Sequence, residues 1–345
     1  MRRPRLSAIL LSLFLLLGLA GCGSAKQSPV TVRIGVALYQ QDDTFISTVV
    51  QSLEQQAKEE EQVQGIKLNL TIADGRGNQV SQNEQVDRFL SQGCDAILVN
   101  LVDRTAAAVI IDKAQAAGIP VIFFNREPVE EDLFRWERAY YVGLKADRAG
   151  VLQGNIVLDA WQEDEEALDR SGDGVLQYVM LEGEPGHQDA LLRTEYSIKT
   201  LSQAGVATEK LANDTANWQR GQAAARMAQW LEEFGGRIEV VFANNDDMAL
   251  GAIDACLDAG IAPEDLPFVV GVDATPPALA AMEEGTLKGT VRNDAAGEAR
   301  MMLRLACALA AGEDSARTVE LEDGKYAWLS YITVTPANLE EFLEP

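Results

Sequence analysis

Short apolar runs alternate with longer amphipathic stretches along most of the chain from residue 31 onward. In the first half the apolar runs are Thr31–Leu38, Lys67–Ala73, Ala96–Leu101 and Pro120–Phe124. In the second half they are Tyr140–Gly143, Val175–Leu181, Ile238–Ala243 and Phe268–Val272. The stretches between them that have helical spacing include Asp43–Glu60, Gln79–Ser91, Arg104–Ala117 and Gln219–Phe234. Apolar strands that alternate with helices indicate parallel sheets covered on both faces, so we predict an α/β protein with two doubly wound domains.

Polar residues follow nearly every predicted strand. They are Asp42, Asp43, Asn100, Asn125, Gly183–His187, Asn244–Asp246, Asp273, Asn293 and Asp294. In open α/β sheets, ligands bind outside the carboxyl ends of the strands. Helix capping explains some of these residues, of which Asn244 and Asp246 are examples. It does not explain an amide or carboxylate after almost every strand, and such groups suit a neutral polyol such as a sugar.

The first 22 residues have the pattern of an export signal. Three arginines lie within the first five residues, and an apolar run from Ala8 to Ala20 follows that is short for a bilayer span. The next residues complete Leu19-Ala20-Gly21-Cys22, which resembles a bacterial lipobox. We therefore expect residues 1–21 to be removed, Cys22 to be lipidated and residues 22–30 to form a tether. The alternative is a signal peptide with a chance cysteine.

The charge excludes several classes of ligand. The chain has 53 acidic and 29 basic residues, a single histidine and a formal net charge of −24. Removal of the signal would take away three arginines and no acid, which makes the mature charge −27. This charge argues against nucleic acid, anionic ligands and a polybasic membrane contact, and it suits a soluble monomer.

The remaining cysteines, Cys94, Cys256 and Cys307, lie in apolar contexts and are expected to be buried free thiols.

Eight short motifs occur in order at characteristic spacing. They are Asp42–Phe45, Asn100–Asp103, Phe123–Pro128, Ala139–Gly143, Gly183–Asp189, Ala243–Asp246, Gly271–Ala274 and Gly289–Asp294. Together they resemble the bacterial galactose/glucose-binding proteins of ABC sugar uptake, and the resemblance runs from about Val32 to Leu343. It implies the class I periplasmic binding protein fold, with two Rossmann-like domains joined by three hinge segments.

The resemblance also implies where the domains divide. Residues 31–120 and 293–328 would form the N-terminal domain. Residues 121–292 and 329–345 would form the C-terminal domain, which carries a calcium loop. The hinge segments would lie near residues 119–122, 291–294 and 326–329, and the domains would close on the ligand about them.

A set of sugar contacts follows from the resemblance. The polar contacts would be Asp43 and Asn100 from the first domain, His187, Asp189, Arg193, Asn245 and Asp273 from the second, and Asn293 at the crossover. Phe45 and Trp218 match the aromatic pair that sandwiches a pyranose ring, whose faces are apolar. For Phe45, a role in the core beneath its helix is the alternative. Because no nucleophile motif accompanies His187, a hydrogen bond to ligand fits it better than acid–base catalysis, and we assign no catalytic residue.

Residues 169–177 resemble the first nine positions of an EF-hand loop. The expected ligands are Asp169, Ser171, Asp173, the Val175 carbonyl and Gln177. The resemblance implies that Glu239 replaces the missing acid of the twelfth position. Because Ser171 stands where Asn or Asp is more common, we expect a weaker structural Ca²⁺ site or an inserted water. An acidic surface turn is the alternative.

These observations predict a binding protein without enzymatic activity. The expected ligand is D-glucose or D-galactose, the expected partner is an ABC sugar permease, and a chemoreceptor or sensor kinase is a further possible partner. Another monosaccharide, such as a pentose or a methyl-galactoside, is the alternative ligand. The protein would be exported and lipid-anchored on the outer face of the cytoplasmic membrane, or periplasmic. A transcription regulator would need an N-terminal DNA-binding module, but the predicted export signal occupies that position. A secreted glycoside hydrolase would use a pair of carboxylates and would have a different fold.

Overall fold

The computed structural model describes residues 31–313 and 318–343. The predicted signal peptide, the lipidation site at Cys22 and the tether lie outside the described residues. Within those residues, no helix is both long enough and apolar enough to span a membrane.

The described residues form strands and helices in alternation. The strands are β1 Thr31–Leu38, β2 Lys67–Asp74, β3 Ala96–Val99, β4 Val121–Phe124, β5 Ala139–Leu144, β6 Leu176–Glu182, β7 Thr208–Thr215, β8 Val240–Ala243, β9 Phe268–Val270, β10 Thr290–Arg292, β11 Tyr326–Leu329 and β12 Ile332–Val334. The helices are α1 Thr44–Gln64, α2 Gln79–Ser91, α3 Ala107–Ala117, α4 Glu130–Leu133, α5 Ala146–Glu163, α6 Glu165–Leu168, α7 Gln188–Gln203, α8 Arg220–Phe234, α9 Asp246–Asp258, α10 Pro276–Glu283 and α11 Ala295–Ala310. Every strand predicted from the apolar runs is present.

Ten of the twelve strands form two parallel sheets, each with helices on both faces, and β10 and β12 form a separate antiparallel pair. The first has the order β11-β5-β4-β3-β1-β2, and the second has the order β7-β6-β8-β9. The helices α1 and α11 cover one face of the first sheet, while α2 and α3 cover the other. The second sheet lies between α8 to α10 on one side and α5 and α7 on the other. The prediction of two doubly wound α/β domains is therefore confirmed.

The predicted domain boundary at residue 121 is wrong. Strands β4 and β5 pair in the first sheet, where Val121 faces Ile97 and Ala139 faces Val121. The chain leaves the first domain only after Leu144, where α5 begins and packs along α7. Apolar runs look alike in both domains, so the sequence pattern does not reveal which sheet a strand joins.

The chain crosses between the domains three times. The first crossing lies at residues 144–146, and the hinge predicted at 119–122 is wrong because it falls inside the first sheet. The second crossing connects β10 to α11 at residues 292–295 and overlaps the predicted segment 291–294. The third follows β11, immediately after the predicted segment 326–329, and leads to β12, which pairs antiparallel with β10 in the second domain.

Two glycines one turn apart let α5 and α7 approach closely. A Cβ atom at Gly154 would lie 2.5 Å from the Ser197 carbonyl oxygen, and one at Gly150 would lie 2.9 Å from the Arg193 carbonyl oxygen. Backbone atoms cannot move aside as a flexible side chain can. The glycines therefore set the distance between the two helices, one of which carries Arg193 into the site.

We expect Gly154→Ala to lower the free energy of unfolding by about 1–3 kcal/mol, the usual cost of overpacking. Helix propensity alone would raise the free energy of unfolding by about 1 kcal/mol, so a net decrease would be due to the steric clash. Urea denaturation followed by circular dichroism measures the change. Gly221→Ala is the matched control, because a methyl group on this exposed glycine of α8 would have no other atom within 4 Å and should cost nothing. A Gly154→Ala protein as stable as the wild type would contradict the close helix approach.

Candidate functional site

A narrow cavity lies between the domains at the carboxyl ends of both sheets. Its walls are formed by Tyr39, Asp43, Phe45, Ile46, Asn125, Arg126, His187, Asp189, Arg193, Trp218, Asn245 and Asp273. Eight of the ten predicted sugar contacts are among them. The structure thus brings together side chains from two domains that are far apart in sequence.

The other two predicted contacts, Asn100 and Asn293, do not line this cavity. Asn100 is fully buried, and its amide donates to the Asn125 Oδ1 at 3.0 Å and to the Phe124 carbonyl at 3.3 Å. Its own Oδ1 accepts from the Tyr39 N–H at 3.4 Å. Asn293 is buried beside Asp273, to whose Oδ1 it donates at 3.4 Å. Both asparagines hold cavity residues in place, and their direct contact with sugar stays a prediction.

Tyr39, Ile46 and Arg126 line the cavity but are not among the predicted site residues, and Asn125 was predicted only as a polar residue at a strand end. Tyr39 follows β1 directly, and its hydroxyl donates to Asp43 Oδ2 at 2.5 Å. The Arg126 guanidinium lies 3.5 Å from the centre of the Tyr39 ring, a cation–π contact. The position of Arg126 two residues after the end of β4 was the available signal.

Three site residues also cap helices, so capping and ligand binding are not alternatives here. Asp43 Oδ1 accepts from the Ile46 N–H at 2.8 Å and caps α1. Asn245 Oδ1 accepts from the Met248 N–H at 3.0 Å and caps α9. In each case the cap uses one polar atom, and the opposite side of the residue still lines the cavity.

The third cap, at the start of α7, fixes the state of His187. Its Nδ1 accepts from the Asp189 N–H at 3.1 Å, so the proton of the neutral ring sits on Nε2. Burial lowers the pKa of His187 well below its ordinary value, and the charges of Arg126 and Arg193 lower it further. The ring is therefore neutral and presents its Nε2–H as a hydrogen-bond donor.

A buried arginine joins the acidic groups of the second domain. Arg193 lies 3.1 Å from Asp189 Oδ2 and 4.0 Å from Asp273 Oδ1. It also donates to the Asn244 carbonyl at 2.8 Å and to the Tyr331 hydroxyl at 3.3 Å. Burial raises the pKa of both aspartates, and the arginine opposes that shift. Because Arg193 is paired with Asp189 and Asp273, these carboxylates offer oxygen acceptors to a ligand while the charge of the arginine is already compensated.

The two predicted aromatic residues reach the cavity in different ways. Phe45 is 6% exposed, packs in the core beneath α1 and also lines the cavity, and its contact with a sugar ring stays a prediction. Trp218 has a left-handed backbone with φ of 65°, and its ring meets His187 edge-on with centroids 5.1 Å apart. A Cβ atom at Gly183 would come within 2.1 Å of the indole. The indole therefore occupies its position because residue 183 has no side chain.

Backbone strain and unpaired polar atoms concentrate at this site. Asp273 has φ of 121°, a value that non-glycine residues rarely adopt. Within the described chain, Arg193 Nε, Trp218 Nε1 and Asn293 Oδ1 are buried without a hydrogen-bond partner. Arg193 and Trp218 line the cavity, and Asn293 lies behind it, beside Asp273. Each unsatisfied group costs about 1–3 kcal/mol, so their position at or behind one cavity indicates a site for a polar ligand.

Contacts between the domains hold the cavity closed on two sides. Thr44 Oγ1 donates to Asp247 Oδ2 at 2.6 Å on one side. On the other, Arg126 forms an ion pair with Glu184 at 2.9 Å. Each contact joins the first domain to the second, so each would be lost if the domains separated.

The predicted calcium residues meet in one loop of the second domain. Ser171 Oγ donates to Asp169 Oδ1 at 3.0 Å, and the Gln177 amide donates to Asp173 at 3.1 Å. Glu239 is 68 residues from Ser171, yet it accepts from the Ser171 N–H at 3.1 Å.

The donor set of this loop suits calcium, although its carboxylates are engaged with N–H groups. Asp169 accepts from the N–H groups of Gly172 and Gly174, both at 2.7 Å. Among the described residues, no group of three or more His, Cys, Asp or Glu side chains is arranged to hold a metal ion. The donors are nevertheless carboxylate, hydroxyl, amide and carbonyl oxygens, which is the chemistry that Ca²⁺ prefers. Calcium binding stays a prediction.

Comparison with known proteins agrees with this architecture. The family model described as "Periplasmic binding protein domain" matches residues 34–314. The chain is 40% identical over 326 residues to the D-galactose/methyl-galactoside binding periplasmic protein of Haemophilus influenzae, covering 93% of this chain and 95% of that one. It is 32% identical to a putative rhizopine-binding protein of Rhizobium meliloti, with coverage of 95% and 97%.

Solved structures show the same relationship. An ABC transporter solute binding protein from Bacillus halodurans with bound myo-inositol superimposes with a TM-score of 0.73 at 30% identity, covering 92% of this chain and 98% of that one. The family resemblance drawn from the motifs is thereby confirmed. The two-domain fold, the polar cavity and these matches show that the chain belongs to the periplasmic binding protein family, the exported ligand-binding receptors of ABC transporters.

Proposed function

We propose that the protein is an extracytoplasmic receptor for a D-hexose, either D-galactose or D-glucose, and that it delivers the sugar to an ABC permease. The observation that carries this proposal is the cavity between the domains, where carboxylates, amides and aromatic rings converge. The 40%-identical relative is named for galactose and methyl-galactoside, which supports a hexose. The relatives named above are binding proteins, and we assign no reaction to the site.

The charges of the cavity favour an uncharged ligand. Asp43, Asp189 and Asp273 supply acceptor oxygens, while Arg126 and Arg193 are each already paired with a carboxylate. A charged ligand would disturb these pairs inside a buried space, where uncompensated charge is costly. A sugar hydroxyl both donates and accepts, so it can bond to these groups without changing the charge.

Closure of the domains would couple binding to delivery. A sugar that bonds to Asp43 of the first domain and Asp273 of the second adds contacts that exist only when the domains are closed. A ligand with this preference selects the closed form, which is the form a permease would recognise. The crossings at residues 144–146 and 292–295, together with the one after β11, are the places where the backbone would turn.

We further propose that the mature protein begins at a lipidated Cys22 and that the loop at residues 169–177 binds a structural Ca²⁺ ion completed by Glu239. The lipobox supports the first proposal, and the oxygen donor set supports the second. When bound, calcium would tie the loop to the start of β8. The residues that would hold it are Asp169, Ser171, Asp173, Gln177 and Glu239, with the Val175 carbonyl.

Calorimetric titration with D-galactose, D-glucose, methyl β-D-galactoside, D-ribose and D-galacturonate tests the ligand class. We expect one hexose to bind at one site per chain, and galacturonate to bind at least tenfold more weakly because its carboxylate meets the cavity's own carboxylates. A protein that binds ribose better than any hexose would favour the pentose alternative. The absence of binding to every sugar in the panel would overturn the proposal.

The aromatic side of the site is tested by Trp218→Ala and Gly183→Ala. We expect Trp218→Ala to weaken hexose binding at least tenfold, or about 1.4 kcal/mol, because the ring loses its contact with the sugar face. Gly183→Ala should weaken it as well and shift the tryptophan fluorescence, because the added methyl displaces the indole. Gly236→Ala, an exposed glycine 18 residues from Trp218 where a Cβ atom would meet no neighbouring atom, is the control. Wild-type affinity in both site variants would remove Trp218 from the site.

Thermal denaturation with Ca²⁺ and with EDTA tests the calcium proposal. We expect Ca²⁺ to raise the melting temperature, because a ligand at one hundred times its Kd stabilises a protein by about 2.7 kcal/mol. Asp173→Ala should abolish the shift, whereas Glu166→Ala, an exposed acid nearby, should retain it. If EDTA and Ca²⁺ give the same melting temperature in the wild type, the loop is an acidic turn without a metal.

A further inference from the structure

A second recess lies between the domains, next to the cavity described above. Its volume is about 360 Å³, and it is the larger of the two spaces. Residues 102–105, Arg126 and Glu127 form its wall in the first domain, and residues 184–189 form its wall in the second. Arg126, His187 and Asp189 line both spaces. The recess and the cavity therefore adjoin at these three side chains.

An ion pair stands where the two spaces meet. Arg126 Nη1 lies 2.9 Å from Glu184 Oε2, and Glu184 lines only the recess. In the described chain Arg126 forms no other ion pair, and its side chain is 6% exposed. Because the two partners belong to different domains, the pair assembles only on closure. The recess is thus part of the closed, ligand-binding form.

The lining of the recess is polar and mixed in charge. Arg104 Nε donates to the Glu127 carbonyl at 3.0 Å, which holds the guanidinium against the wall. The Gln188 amide donates to Glu127 Oε2 at 3.1 Å, but Gln188 Oε1 is buried without a partner in the described chain. Four acids and two arginines line the space, so it disfavours an anion. A hydroxyl-bearing, uncharged group suits these donors and acceptors.

We propose that this recess is a subsite for a polar, uncharged substituent carried by the hexose. The ligands of the protein then include glycosides whose second group is as large as another sugar. The inference rests on the proposed function, because the hexose itself would occupy the cavity. The substituent would leave the hexose on the side that faces Arg126, His187 and Asp189. A volume of about 360 Å³ falls within the roughly 300–1,000 Å³ of small-molecule pockets.

Titration calorimetry with galactose, glucose, lactose and melibiose tests the subsite. Lactose and melibiose substitute C1 of galactose in β and α linkage, and melibiose also presents a glucose substituted at C6. We expect at least one disaccharide to bind with a Kd within about tenfold of the free hexose. Exclusion of both disaccharides by a protein that binds a hexose would overturn the subsite and leave the proposed function intact.

Thr105→Trp narrows the recess without touching the cavity. Thr105 is exposed and lines only the recess. We expect this change to raise the disaccharide Kd at least tenfold and the hexose Kd less than threefold. Thr71→Trp, on the exposed side of edge strand β2, is the matched control and should change neither. Equal loss of both ligands in Thr105→Trp would overturn the subsite, and failure of the wild type to bind any hexose would overturn the proposed function instead.

Discussion

The pairing of Arg193 with two aspartates is the interaction on which the ligand-facing end of the second domain depends. The arginine comes from α7, while Asp273 follows β9 and the Asn244 carbonyl follows β8. It also binds Tyr331, which lies on the third crossing between the domains. Removal of one partner of a buried ion pair costs about 3–5 kcal/mol, so these elements are held in one arrangement. The close approach of α5 and α7 at Gly150 and Gly154 brings this arginine to its place.

The site obtains its geometry from structural features that also serve the fold. Asp43, His187 and Asn245 cap the helices that begin at the cavity, so their orientations are fixed before a ligand arrives. The left-handed backbone at Trp218 and the unusual φ of Asp273 are strained, and the surrounding contacts maintain them. A site made in this way is preorganised within each domain. Closure then needs only the approach of two rigid halves, which the Thr44–Asp247 and Arg126–Glu184 contacts complete.

Particular residues show where inference from sequence succeeds and where it ends. Asp43 and Asp273 were found because they follow apolar runs, and a strand end in a parallel sheet has a known position. Arg126 was missed because its importance comes from Tyr39 beneath it and Glu184 opposite it, which are 87 and 58 residues away in the chain. The domain boundary at residue 121 failed for a similar reason. Which sheet a strand joins depends on which strand its backbone pairs with, and the residues of a short buried strand do not identify that partner.

The sequence by itself determined the α/β class, eight of the twelve described strands, the polar carboxyl edge of the sheets and most of the side chains that line the cavity there. These follow from local periodicity and from the chemistry of residues at strand ends. Only the tertiary structure decided that the first sheet includes β4 and β5, that Asn100 and Asn293 stand behind the cavity, and that a larger recess adjoins it. These depend on contacts between distant segments. Such contacts form when two domains pack and close, and local sequence does not encode them.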